Sequence, residues 1–373
     1  TDARAILRDP DIQVVVELIG GIEPARTLLL EAIRRGKHVV TANKALLAHH
    51  GHELFTAADR AGVDVYFEAS VGGGIPIIKA LREGLIANEL NAILGIVNGT
   101  SNYILTEMRD KRLSFHEALA EAKAHGYAER NPALDIDGHD AAHKLAILTL
   151  LGFGARVSLA QIHTEGISQV SLADIQYADA LGYCVKPLVI AKQAGGKLEV
   201  RVHPALLSKS HLLANVNGVY NAIYVHGDLV GAELFYGRGA GQHPTASAVI
   251  SDLADVARNI RHAVAKRVPT YAPRHRPLTV LKMDRIETRY YMRFTVIDRP
   301  GVLATIASIL GRCHISIASV HQKERRAARV VPVVIMTHDA READVRHALS
   351  TIDRLRVVKS KTVAIRTEAP RGK

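Results

Sequence analysis

Residues Ile12 to Ile19 read IQVVVELI, a β-branched run broken only by Gln13 and Glu17. A short apolar run without strict alternation is expected of a strand buried on both faces of a parallel sheet. Working outward, Pro24 opens a helical stretch to Arg35, which Gly36 stops. Lys37 to Thr41 (KHVVT) reads as a second strand, Ala45 to Ala61 as a second helix, and Val63 to Glu68 (VDVYFE) as a third strand. Strand–helix–strand–helix–strand with short connections predicts an α/β fold, part of a Rossmann-like doubly wound domain.

Beyond Gly74 the pattern changes. Helical stretches (Ile75 to Leu85, Asn102 to Lys111, Ser114 to His125, Asp140 to Leu151) mix with strands (Leu90 to Val97, Leu188 to Lys192, Leu198 to His203, Ala222 to His226, Gly231 to Tyr236). That mixture predicts an α+β substrate domain over 74–240. The helix Thr245 to Arg261 is expected to pack back on the first unit, giving a domain of 1–73 plus 241–264. Val268 to Thr279, rich in Pro and Arg, marks a linker placed at 265–287. A fresh βαββαβ order then runs from Tyr291 to Ile365, predicting a separate ferredoxin-like domain over 288–367.

The composition narrows the function classes. The chain has 373 residues, 48% of them hydrophobic and 23% charged, as in ordinary globular proteins with two or three cores. The longest nearly uncharged stretch, Leu145 to Gly154, is too short to span a bilayer, so no membrane partner is expected. Two distant cysteines, Cys184 and Cys313, argue against a disulfide framework or a Cys-based metal site and for a reducing, cytoplasmic setting. The net charge of +11 is dispersed, with clusters only at Lys266 to Arg276, Lys323 to Arg329 and the tail. No aromatic interleaving or helix-turn-helix pattern accompanies it. Anionic small molecules explain the balance at least as well as a nucleic acid does.

The chemistry concentrates in Gly126 to Lys144, GYAERNPALDIDGHDAAHK. Glu129, Asp135, Asp137 and Asp140 crowd a segment that turns at Pro132 and Gly138. Asp140 and Lys144 are i and i+4 on a helix whose other face is apolar. A lysine at such an edge can exchange a proton with a substrate hydroxyl: burial lowers its pKa and a neighbouring acid raises it. By spacing alone a surface ion pair is the better reading; the acid-dense loop tilts the balance towards a site.

Four other segments carry weaker signals. Thr41-Ala-Asn-Lys44 follows a strand and precedes a helix, where α/β ligands bind, and Lys44 suits a carboxylate, phosphate or developing oxyanion. Glu68 to Pro76 (EASVGGGIP) offers one carboxylate and exposed carbonyls for a hard cation, or equally a hinge with anion-friendly amides. Asn98 to Tyr103 (NGTSNY) places Thr100 or Ser101 as a helix cap. Gly237-Arg-Gly-Ala-Gly241 is a lone Gly-rich loop.

The run from Ala122 to Lys144 resembles the homoserine dehydrogenase motif, matching at Ala122, Gly126, Asn131, Pro132, Asp135, Gly138, Asp140 and Lys144, with Arg130 where many members have Pro. The resemblance implies reversible NADP- or NAD-dependent reduction of L-aspartate 4-semialdehyde to L-homoserine, a step toward threonine, methionine and isoleucine. It implies Lys144 as the acid/base and Lys44 as a second catalytic lysine beside the nicotinamide. Glu129, Asp135, Asp140, Gly99 and Thr100 would contact substrate. Gly20, Gly126, Gly239, Gly241 and Lys44 would lie along the cofactor, although Arg238 and Gln242 replace the family's usual Pro and Gly. A structural sodium ion would be held by Glu68 and the carbonyls of Val71, Gly73 and Ile75.

Asp298-Arg-Pro-Gly-Val-Leu303 at the first turn of the last unit resembles the ACT domain, an amino-acid sensor. Its turn presents amides at a helix start, a natural carboxylate receptor. The family implies threonine as effector, in a homodimer or homotetramer. No G-x-G-x-x-G precedes Ile12, so about 60 residues, two βα units, are expected ahead of Thr1. The rival reading is a catalytically incomplete fragment or paralogue that senses an amino acid through its ACT domain.

Overall fold

The computed structural model describes residues 2–271, 278–322 and 330–368. The basic cluster at 323–329, the second part (272–276) of the one at 266–276 and the extreme tail lie outside them. Val14–Glu17, His38–Thr41 and Val65–Tyr66 form a parallel sheet in that order. The helices Ala25–Arg34 and Lys44–Ala61 are its crossovers. Gly62 closes the second helix at φ 67, a left-handed conformation that suits glycine. The long helix Gln242–Arg261 returns to this layer, as its apolar stripe demands. Val249 and Val256 pack on Val40 and Tyr66, and Asp252 accepts the Glu68 amide at 2.8 Å.

The larger sheet runs in the order Ile317–His321, Val330–Thr337, Glu287–Ile297, Val358–Glu368, Lys197–Ser208, Tyr183–Ala194, Leu90–Ile96, Tyr220–Gly227, Gly231–Arg238. Its first four strands, with helices Val302–Arg312 and Glu342–Ile352, make the expected βαββαβ unit. That unit is fused to the substrate domain and is not a free-standing sheet. Arg366, Thr367 and Glu368 pair in parallel with Ala205, Leu206 and Leu207. Tyr291, Val334, Met336 and Ile365 share one core with Ile175 and Leu206.

One strand organises this junction. Tyr183–Ala194 occupies the whole of one edge of Lys197–Ser208. Three short parallel segments tile the other: Thr279–Val280 beside Lys197, His163–Thr164 beside Arg201, and the C-terminal strand beside Ala205. Both central strands are longer than expected, running through Pro187 and Pro204, which face each other in the ladder. Neither proline can donate an amide. Pairing to the next strand outward starts at Val189 beyond Pro187, and on the other strand it skips Pro204 between Val202 and Ala205, so neither amide is needed.

Three local readings change. Asn98, not Thr100 or Ser101, caps the Gly99–Asp110 helix, accepting the Ser101 amide at 2.9 Å. The stretch expected as one helix over 75–85 is a turn at Ile77–Lys79 followed by a wider π turn at Ala80–Gly84. The helix Leu172–Ala180, which hydrophobic periodicity did not signal, starts with a reciprocal Ser171–Asp174 cap.

Lys186, on the Tyr183–Ala194 strand, is buried, donating to the Val216 carbonyl at 2.5 Å and to Asn217 Oδ1 at 2.9 Å. Burial pulls its pKa down to about 8. Between pH 8 and the unfolded lysine value the native chain binds fewer protons than the unfolded chain, so stability rises with pH across that window. A Lys186→Met variant is expected to lose that rise, worth at most about 3 kcal/mol, in denaturant unfolding at pH 7.5 and 10. An unchanged pH dependence in the variant would refute the assignment.

Candidate active site

The first strand ends at Glu17, and its buried carboxylate organises the turn beyond it. Glu17 accepts the Ile19 and Gly20 amides at 2.8 and 3.0 Å and the Thr41 hydroxyl at 2.6 Å. Asn43 caps the next helix by accepting the Leu46 amide, and its Nδ2 donates to the Gly21 carbonyl at 2.7 Å. Gly20 and Gly21 both have positive φ, and a Cβ at either would meet nothing within 4 Å. The glycine turn therefore stands open, locked to the segment that carries Lys44.

Lys44, the first residue of its helix, reaches from this layer to the substrate domain. Its ammonium lies 2.6 Å from Asp140 Oδ1, with the side chain 38% exposed. Asp140 and Lys144 lie on the helix His139–Phe153, entered through Gly138 at φ 86. Lys144 donates to Asp140 Oδ2 at 2.7 Å and to the Val97 carbonyl at 2.5 Å. Asn98, at the end of the Leu90–Ile96 strand, donates to Asp135 Oδ1 at 2.7 Å and to Asp140 Oδ2 at 2.9 Å. One buried carboxylate thus takes two ammonium groups and an amide.

The electrostatics follow from that packing. Burial opposes ionisation of Asp140, but Lys144 and then Lys44 outweigh it and hold the carboxyl well below the usual range. Burial likewise pushes Lys144 below the ordinary lysine value, against the pull of Asp140. The result is a lysine that can give up its proton and an acid that keeps its charge beside it.

Thr100 donates to the Tyr127 carbonyl at 2.6 Å, joining the Gly99–Asp110 helix to the Gly126 turn. Gly99 packs its Cα face on the 217–219 loop, where a Cβ would sit 2.8 Å from the Val219 oxygen. Gly73 and Gly239 abut, since a Cβ on Gly73 would sit 2.5 Å from the Gly239 oxygen. Gly241 precedes the returning helix. The Glu68 carboxylate accepts the Ile78 and Lys79 amides at 2.8 and 2.9 Å, and the Ile75 carbonyl accepts the Ile77 amide at 2.7 Å. Glu129 and Asp137 are exposed; among the described residues no hydrogen bond or ion pair ties Glu129 to the lysine cluster. Glu17, Asn43 and Asn98 are the partners that sequence reasoning passed over. Only the position of Asn98 beside Gly99 and of Asn43 within TANK could have signalled them.

Three family models match the chain. The model of the homoserine dehydrogenase NAD binding domain matches residues 1–68, that of homoserine dehydrogenase residues 76–254, and that of the ACT domain residues 290–357. The homoserine dehydrogenase of Pseudomonas aeruginosa is 49% identical over 364 residues, covering 96% of this chain and 84% of that protein. That of Neisseria gonorrhoeae is 46% identical, covering 98% and 86%. The crystal structure of a homoserine dehydrogenase from Thiobacillus denitrificans superposes with a TM-score of 0.93 at 49% identity, covering 99% of this chain and 85% of that one. An archaeal homoserine dehydrogenase in complex with NADPH superposes at 0.61 with 28% identity, over 69% of this chain and 76% of that one. An amino-acid sensor without catalysis is not favoured, since the dinucleotide and catalytic parts match alongside the ACT domain. Among the described residues no helix is long and apolar enough to cross a membrane. With relatives nearly half identical along almost its whole length, the chain belongs to the homoserine dehydrogenase family of oxidoreductases.

Proposed function

We propose that this site interconverts L-aspartate 4-semialdehyde and L-homoserine, with Lys144 as the acid/base. The observation that carries the reading is Asp140 gripped between Lys144 and Lys44, with Lys144 buried and its proton contested. In the reducing direction Lys144 donates a proton to the aldehyde oxygen as the carbonyl carbon gains hydride; in the oxidising direction it takes the hydroxyl proton back. Asp140 holds both ammonium groups in place, and Lys44, still partly exposed, orients the substrate and the cofactor face. Asp135 and Glu129 receive the substrate's amino group, and the amides around Gly99 and Thr100 its carboxylate.

The bound nicotinamide, of NADP or NAD, supplies or accepts the hydride. The open Gly20–Gly21 turn fits a dinucleotide, because no side chain fills the space outside it. Gly126, Gly239 and Gly241 would line its path. Glu68 suits a sodium ion with the carbonyls of Val71, Gly73 and Ile75: it is a buried carboxylate with lone pairs beyond its two amide bonds. Threonine is the proposed effector at the Asp298–Leu303 turn, where Gly301 at φ 88 starts the Val302–Arg312 helix. A homodimer or homotetramer in the cytoplasm, feeding threonine, methionine and isoleucine synthesis, completes the reading; the free Cys184 and Cys313 agree with a reducing compartment.

The test is L-homoserine-dependent formation of NADPH and NADH at 340 nm, repeated with added L-threonine. Turnover with one or both cofactors is expected, and slower turnover with threonine. No homoserine-dependent reduction of either cofactor refutes the activity, and turnover indifferent to threonine refutes the effector.

A further inference from the structure

Arg366, on the last strand of the C-terminal unit, is buried against the substrate domain. Its Nη1 and Nη2 donate to both oxygens of Glu165 at 2.8 and 2.9 Å, across 201 residues of sequence. Its Nε and Nη2 also donate to Glu342 at 2.8 and 2.7 Å, and the Tyr290 hydroxyl donates to Glu342 at 2.6 Å. His163 lies 2.7 Å from Glu165 as well. Two-point pairing of a planar guanidinium with a carboxylate fixes direction as well as distance. Burial opposes ionisation of Glu165, but the His163 ring and the Arg366 guanidinium outweigh it and hold the carboxyl well below the usual range.

The residues that follow Glu165 form the floor beneath the substrate-side turn. The Glu165 amide is fixed by the Val202 carbonyl at 2.8 Å, and the Ile167 amide donates to the Ile136 carbonyl at 2.9 Å. Gly166 lies so close to that turn that a Cβ would sit 2.4 Å from the Ile136 oxygen and 2.8 Å from the Asp137 Cα. A Cβ on Gly138 would come 3.4 Å from the Glu165 oxygen. The single turn Ala133–Ile136 carries Asp135, whose carboxylate accepts from Asn98 and whose carbonyl accepts the Ser101 hydroxyl at 3.0 Å. A cavity of about 20 Å³, walled mostly by apolar groups such as Ile136, Ile167 and Leu188, lies between Asp135, Asn98 and Ser101 on one side and Glu165 and the buried His203 on the other.

We infer that Glu165 and Arg366 are positioning residues for Asp135: the C-terminal unit sets the height of the substrate-binding turn through the Glu165–Ile167 floor. The inference rests on Asp135 binding substrate, as proposed above. The ion pair acts on the turn through backbone, so its effect falls on homoserine binding and leaves the lysine pair and the dinucleotide turn in place.

The test compares Glu165→Gln, Gly166→Ala, Arg366→Lys and Asp135→Asn in the whole enzyme, reading KM for homoserine, KM for the cofactor, kcat and the melting midpoint. Glu165→Gln and Gly166→Ala are expected to raise homoserine KM roughly tenfold, since small displacements of a binding group are costly, with cofactor KM unchanged. Arg366→Lys, which keeps the charge without the two-point fork, should fall between them and the parent. Gly166→Ala leaves the ion pair intact and moves only the floor, so it tests the route even if an ion-pair variant folds poorly. Unchanged homoserine KM in folded Glu165→Gln and Gly166→Ala, with Asp135→Asn raised, overturns the positioning role. Unchanged KM in Asp135→Asn overturns the role of Asp135 itself.

Discussion

A Lys144→Met variant is expected to turn over homoserine roughly 10²- to 10⁴-fold more slowly than the parent, the range for losing a positioned acid/base. Methionine fills a similar volume, so the buried helix keeps its packing. The Val97 carbonyl loses its short contact with Lys144, at a cost of about 1–3 kcal/mol if no water replaces it. Asp140 keeps Lys44 at 2.6 Å and so is not left as an uncompensated buried charge. The fall should therefore appear in kcat, with cofactor KM little changed and circular dichroism like the parent's. A variant that keeps parental kcat would move the acid/base role away from Lys144, and Lys44 would be the next group to replace.

Replacing Asp140 by asparagine should be nearly as damaging, and it carries a sign. Burial lowers the Lys144 pKa and Asp140 raises it. Without the carboxylate, Lys144 gives up its proton at lower pH than in the parent. With Lys144 as the proposed acid/base, reduction of the semialdehyde needs the ammonium form, so its activity is present below that pKa and lost above it. The basic limb of kcat against pH therefore moves to lower pH in Asp140→Asn. Homoserine oxidation needs the neutral amine, so its rising limb moves the same way. The substitution also leaves two ammonium groups facing a neutral amide, and a kcat loss on the order of 10²-fold is expected from misplacement alone. Limbs that stay where they are in both directions would separate Asp140 from the ionisation of Lys144.

The sequence exposed those features that depend on local period. Asp140 and Lys144 share a helix face because four residues make about one turn, and the apolar Leu145 and Leu148 on that helix announce its burial. The first layer was legible because each β-branched run is short and each helix is punctuated by proline, asparagine or glycine. The contact between Lys44 and Asp140 was not legible, for it joins helices from two units and no periodicity encodes it. Glu17 sits unmarked within an apolar run, although its position at the strand end lets it collect the Ile19 and Gly20 amides. The fusion of the C-terminal unit was hidden for a related reason. Arg366 and Glu368 look like solvent-facing charges on an outer strand, and only their distant partners Glu165, Glu342, Lys192 and Arg201 make them interior.

The tiled edge of Lys197–Ser208 bears on how the chain is made. Three segments from widely separated parts of the sequence must arrive to complete one edge, and the last of them is the strand ending at Glu368. While a ribosome is still extending the chain, Ala205–Leu207 presents unpaired amides and carbonyls, the kind of edge that invites another chain. Pairings of such long sequence separation form late, because loop closure precedes any gain. Nascent chains of this protein therefore expose that edge until Arg366 and its neighbours emerge.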